Sequence, residues 1–157
     1  MTAVELSEDL VRNLRGFAEG AYPEECCGFL LSTDGDGRAA ARCRIVDAEP
    51  APNEAEGERR RRFAIAPGEL RAAEERAARR GREVRGFYHS HPDHPARPSQ
   101  IDQDHAWPWY TYVVLSIGLD GIPGEIGAFE LDPSRREFRA LPLRVLPRPG
   151  PSAPASG

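Results

Sequence analysis

Apolar residues in this chain come in short runs, and proline or glycine closes nearly every one of them. That punctuation limits the elements to brief strands and helices of a few turns. The 157 residues hold 15 glycines and 15 prolines, with much of the proline in the middle loops and near the end. No run approaches the roughly 18 apolar residues of a membrane span. The length fits one domain, read here as residues 1–146, followed by a Pro-rich disordered tail over 147–157.

Leu6, Leu10, Leu14, Phe17 and Ala21 recur at helical spacing, predicting a helix from Glu5 to about Gly20 with Ser7 or Thr2 as its cap. Cys27 to Ser32 reads as an apolar strand, Asp34-Gly35-Asp36-Gly37 as a tight turn, and residues 38 to 47 as the returning strand. Arg59 to Arg62 reads as a solvated loop entering an edge strand, which Phe63-Ala64-Ile65 closes. Pro67 suits a first helical turn, Glu69 to Arg80 continues that helix, and Gly81 ends it. Glu83 to Tyr88 is a strand, residues 93 to 98 a Pro-rich loop, and Ser99 to Trp107 a short helix limited by Pro108. Tyr110 to Ile117, Glu125 to Leu131 and Glu137 to Val145 complete the strands. This order argues for an α/β sandwich around a curved, largely antiparallel β-sheet flanked by helices.

Charge and cysteine usage remove several function classes. The net charge is −4 and no basic stripe dominates, which argues against nucleic-acid binding. The N-terminus lacks the basic start and apolar stretch of a signal peptide. Cys26, Cys27 and Cys43 cannot build a disulfide framework, so the expected compartment is the cytoplasm. All 21 basic residues are arginine, which excludes a Schiff-base lysine, a P-loop lysine and a Ser–Lys dyad.

The chemistry concentrates around the histidines. His89, His91, His94 and His105 are the only four, all within one short stretch. Residues i and i+2 of a strand project to one side, so His89 and His91 can share a metal at Zn–N distances of about 2.0 to 2.1 Å. Three prolines stiffen the loop that follows. Asp102 then stands three residues into a helix that Ser99 caps. That spacing is a capping box, and the same carboxylate is also a candidate third ligand. Two histidines and one carboxylate form a hydrolytic zinc ligand set with the fourth position open. From context alone, Glu25 is either a loop carboxylate at a strand entry or the general base such a site needs. Cys26 and Cys27 read as core residues, His105 as a helix-surface residue, and Trp107 and Trp109 as packing at a helix end.

Tyr22-Pro23-Glu24-Glu25-Cys26-Cys27-Gly28, Gly86-Phe87-Tyr88-His89-Ser90-His91-Pro92 and Pro98-Ser99-Gln100-Ile101-Asp102 together resemble the JAB1/MPN/Mov34 metalloprotease family, the JAMM or MPN+ domain. Ten residues separate His91 from Asp102, and Ser99 precedes Asp102 by three, as in that family's signature. Asn53 and Arg62 to Pro67 also look like its middle segment. The resemblance implies the MPN/JAMM fold, a cytidine-deaminase-like sandwich. It implies that His89, His91 and Asp102 ligate Zn²⁺. It makes Glu25 the acid–base group and Ser99 the donor to the oxyanion.

Short, single-domain bacterial members of the family resemble peptidases that act at the C-terminus of ubiquitin-like proteins. The implied partner is a ubiquitin-like or sulfur-carrier protein of β-grasp type ending in Gly-Gly. The bond cleaved joins that tail to cysteine, to an extension or to a lysine, and monomer and homodimer are both open. Two rivals stand beside this reading: a catalytically silent MPN scaffold, and a zinc hydrolase of a small amide substrate.

Overall fold

The computed structural model describes residues 3–33, 42–118, 121–132, 134 and 137–147. Its elements run β1 (Ala3–Ser7), α1 (Glu8–Ala21), β2 (Cys27–Thr33), β3 (Arg42–Ala51), α2 (Pro67–Arg79), β4 (Arg82–Pro92), α3 (Gln100–His105), β5 (Thr111–Ile117), β6 (Pro123–Asp132), β7 (Glu137–Leu141) and β8 (Leu143–Leu146). The expected turn at Asp34 to Gly37, the start of the returning strand before Arg42, and residues 148–157 of the expected tail lie outside the described residues. No described helix is long and apolar enough to cross a membrane.

Ser7 decides where the first helix begins. Its hydroxyl accepts the Leu10 amide at 3.1 Å, and Glu8 and Asp9 complement the positive end of α1. The residues before it are a strand, not the helical turn that the leucine spacing suggests. β1 lies between β3 and β8 and pairs in parallel with both, which removes Val4 and Leu6 fully from solvent. Leu6 is in phase with the helical stripe only by coincidence of spacing. α2 follows its expected course: Pro67 opens it, Ala73 and Ala77 are its buried face, and Gly81 follows at φ +66°.

The eight strands form one sheet in the order β7-β6-β5-β4-β2-β3-β1-β8. The pairs β1–β3, β1–β8 and β4–β5 are parallel and the other four antiparallel, so the sheet is mixed. Glu137 to Val145, expected as one strand, is cut at Pro142. β7 and β8 are consecutive in the chain yet stand at opposite ends of the strand order, which requires the sheet to curl until it nearly closes. Pro142 has no amide to give a ladder, and its carbonyl accepts the Val4 amide at 2.8 Å.

The central strands are covered on both faces. Leu30 joins the cluster under α1 with Leu10, Leu14, Tyr88, Val113 and Leu115. Its neighbours Phe29 and Leu31 join the opposite cluster under α2 with Ala73, Ala77, Val84 and Phe87. That explains the unbroken apolar run in β2. β4 and β5 approach so closely that a Cβ at position 86 would run into the Thr111 carbonyl; only glycine fits at Gly86.

Phe63-Ala64-Ile65 is not a strand. The Ala64 amide donates to the Asn53 side chain at 3.1 Å, and the Ala64 carbonyl accepts the Glu54 amide at 2.9 Å. The segment is thus tied to Asn53 and Glu54, and Arg59 to Arg62 sit exposed in a loop outside the described strands.

Candidate metal centre

β4 runs on past Tyr88 through the buried residues His89, Ser90 and His91. Strand alternation points both imidazoles to one side and Ser90 to the other. Ser90 Oγ accepts the Cys26 amide at 2.8 Å, and the Ser90 amide donates to the Cys26 carbonyl at 3.1 Å. The residue between the two histidines therefore pins the strand entry that carries Glu25.

α3 supplies the third group. Ser99 Oγ accepts the Asp102 amide at 3.2 Å, and Asp102 Oδ2 accepts the Ser99 amide at 2.7 Å, a complete capping box. The same Oδ2 lies 3.0 Å from His89 Nε2 and 3.0 Å from His91 Nε2, and the two Nε2 atoms are 3.1 Å apart. The cap and the cluster are thus served by one oxygen. Glu25 completes the group: donor atoms of Glu25, His89, His91 and Asp102 all lie within 4.8 Å of one another, and the four could hold a metal ion.

Electrostatics put His89 and Asp102 in ligand form. Burial lowers the His89 pKa and outweighs the pull of Asp102, so the ring is neutral. Burial alone would raise Asp102, but the His89 and His91 contacts and the Ser99 amide together hold its carboxyl well below the usual range. Glu25 goes the other way. It is 3% exposed, its Oε1 has no hydrogen-bond partner among the described residues, and burial, with Asp102 nearby, raises it to about 9.

The donor set fits a tetrahedral dication. Ligands about 2.0 to 2.1 Å from a tetrahedral zinc stand roughly 3.3 Å apart, close to the spacing of the three converging atoms. A neutral imidazole and an ionised carboxylate are the protonation states that metal binding needs. The carbonyl of Pro95 lies 3.1 Å from His91 Nδ1 and accepts its N–H, leaving Nε2 to face the cluster.

The other sequence candidates lie outside the cluster. The His94 side chain is exposed, and the Pro-rich loop is tied down by its carbonyl, which accepts Ser116 Oγ at 2.7 Å. His105 Nδ1 meets the Ile101 carbonyl at 2.9 Å on the exposed end of α3. Cys26 and Cys27 are buried, and burial pushes their thiols up to about 11 and about 12. Trp107 leans on Tyr110, yet it is 50% exposed and Trp109 67%, so packing at the helix end accounts for only part of these rings.

Two residues around the site have roles that spacing does not reveal. Asn53 donates to the Glu25 carbonyl at 3.1 Å, and Phe63 stacks on His89 with ring centroids 4.5 Å apart. Pro52-Asn53 after a strand is a turn signal, and Asn53 Oδ1 does accept the amide two residues on, at 3.0 Å. Nothing local announces the long-range partners of either residue.

Residues 7–131 match the family model described as prokaryotic homologs of the JAB domain. A desampylase of Haloferax volcanii is 33% identical over 115 residues, covering 73% of this chain and 78% of that protein. A protein from Salinibacter ruber, solved in solution, is 39% identical with a TM-score of 0.66, covering 98% of this chain and 95% of its own. A JAB1/MPN domain protein from Archaeoglobus fulgidus shares the fold at 16% identity and a TM-score of 0.55, covering 93% of this chain and 99% of its own. With its curved mixed sheet and the extent of these matches, this chain belongs to the JAB family, among its prokaryotic members.

Proposed function

We propose that this chain is a zinc-dependent peptidase that hydrolyses the amide bond after the C-terminal Gly-Gly of a ubiquitin-like, β-grasp protein. The observation that carries the reading is the convergence of Glu25, His89, His91 and Asp102 within 4.8 Å. The relative named desampylase supports the substrate class, since that name denotes a hydrolase acting on a ubiquitin-like protein conjugate.

In this reading His89 Nε2, His91 Nε2 and Asp102 Oδ2 hold Zn²⁺. Zinc, when bound, supplies Lewis acidity toward water and the scissile carbonyl. Glu25 Oε1 is buried and has no hydrogen-bond partner among the described residues. The charge of a bound dication would offset the burial that raises Glu25 to about 9 in the metal-free protein, so that it ionises. The carboxylate then takes the proton of the attacking water and returns it to the leaving amine. The Ser99 hydroxyl accepts the Asp102 amide, which leaves its own proton to donate to the oxyanion. Burial of the donors excludes bulk water, so each charge acts at short range in a medium of low dielectric.

The test is incubation with ubiquitin-like proteins carrying C-terminal extensions, read by mass spectrometry. Cleavage after Gly-Gly that a chelator abolishes and zinc restores is the expected result. No cleavage of any extended substrate, together with about one zinc per chain, would point to a zinc hydrolase of small amides instead. Absence of both zinc and cleavage would leave a silent scaffold.

A further inference from the structure

The two histidine ligands are held in different ways. His91 has the hydrogen-bonded Nδ1 usual for a metal ligand, with the Pro95 carbonyl 3.1 Å away. His89 does not: its Nδ1 is buried and has no hydrogen-bond partner among the described residues. The group lying on that ring is Phe63, at a centroid distance of 4.5 Å and an interplanar angle of 23°. Phe63 is delivered there by Asn53, whose amide uses its full hydrogen-bonding capacity on four backbone groups. Its nitrogen donates to the Glu25 and Arg62 carbonyls, both at 3.1 Å. Its oxygen accepts the Ala55 amide at 3.0 Å and the Ala64 amide at 3.1 Å. Arg62 and Ala64 flank Phe63, so one side chain fixes the backbone on both sides of the stacking ring. The Glu25 amide, donating to the Arg59 carbonyl at 2.8 Å, closes the same segment against the proposed base.

We propose that Phe63 is the positioning residue of His89, its ring supplying the orientation that the Pro95 carbonyl gives His91, and that Asn53 is the staple that holds Phe63 in place. The proposal rests on the zinc reading above. Neither side chain touches the reacting atoms; on the metal, Phe63 acts through the imidazole and Asn53 through Phe63.

The experiment measures zinc affinity of the full chain by competition with a chromophoric chelator, for wild type, Phe63→Leu, Phe63→Tyr, Asn53→Ala and the Asn53→Ala/Phe63→Leu pair. Outer partners of metal ligands are typically worth about 10 to 100-fold in metal affinity, so Phe63→Leu should weaken zinc binding by roughly tenfold. Phe63→Tyr, which keeps the ring, should bind as wild type does. Asn53→Ala should also weaken binding, and the double variant should be no weaker than the worse single one, because the staple acts through the ring. Circular dichroism of the metal-free forms identifies any variant that fails to fold; should Asn53→Ala fail, the contrast of leucine and tyrosine at position 63 still decides. Wild type that binds no zinc would overturn the zinc reading. Wild type that binds zinc while Phe63→Leu binds it equally well would overturn this proposal alone. Additive losses in the pair would remove Asn53 from it.

Discussion

Glu25 and Asp102 are two carboxyls of one buried cluster pushed in opposite directions. Asp102 is surrounded by donors and stays ionised; Glu25 has an oxygen with no partner among the described residues and is raised to about 9. The unfolded carboxyl ionises near 4.5 and the folded one near 9, so between those values the unfolded state loses its proton first. The metal-free fold therefore keeps this contribution fully below pH 4.5 and loses it as pH rises through the window to about 9. Glu25→Gln removes the dependence. In urea unfolding of the zinc-free protein at pH 7, the variant should be more stable than wild type by up to about 3 kcal/mol, with the gap closing near pH 4.5. A gap that is absent, or that widens toward acid pH, would contradict the burial argument. In the cleavage assay the same variant should retain zinc and lose about 10² to 10⁴-fold in rate, the size of a general acid–base contribution.

At the scale of elements, the site is a junction of the end of β4, the start of β2 and the first turn of α3. Ser90 is the pin between the first two: it is fully buried, and its hydroxyl is the partner of the Cys26 amide at 2.8 Å. Ser90→Ala leaves that amide without its acceptor and should cost about 1–3 kcal/mol in denaturant unfolding, with little change of shape in the core. A loss below a few tenths of a kcal/mol would mean that the two strands do not depend on this bond. The third piece was legible in the sequence, because Ser99 and Asp102 are local in sequence and a capping box fixes where the carboxylate lies. His89 and His91 were legible for the same reason, since strand alternation is a two-residue rule. Asn53 and Phe63 were not, because Asn53 serves Glu25 from 28 positions away and Phe63 meets His89 across the same fold. β1 was misread because Glu5-Leu6 continues a helical stripe by phase, and only the parallel neighbours β3 and β8 decide against it. Pro142 could have signalled the break between β7 and β8, since proline cannot donate to a ladder.

For the whole molecule, the sheet nearly closes while its central strands are covered on both faces, and the candidate metal centre draws on the start of β2, β4 and α3 together. A ligand that binds only the assembled centre stabilises the entire fold. Zinc at a hundred times its dissociation constant should add about 2.7 kcal/mol. For a chain of this size that is a rise in melting temperature of roughly 5–10 °C, reversed by a chelator. A melting temperature indifferent to zinc and chelator would mean that His89, His91 and Asp102 do not act as one site. The arrangement itself is best tested by a crystal structure of the zinc-loaded chain, with an anomalous difference map collected at the zinc edge. One peak is expected, bounded by His89 Nε2, His91 Nε2 and Asp102 Oδ2, with Glu25 beside it and no fourth protein ligand. A peak elsewhere, or a fourth protein atom closing the coordination sphere, would contradict the hydrolytic account.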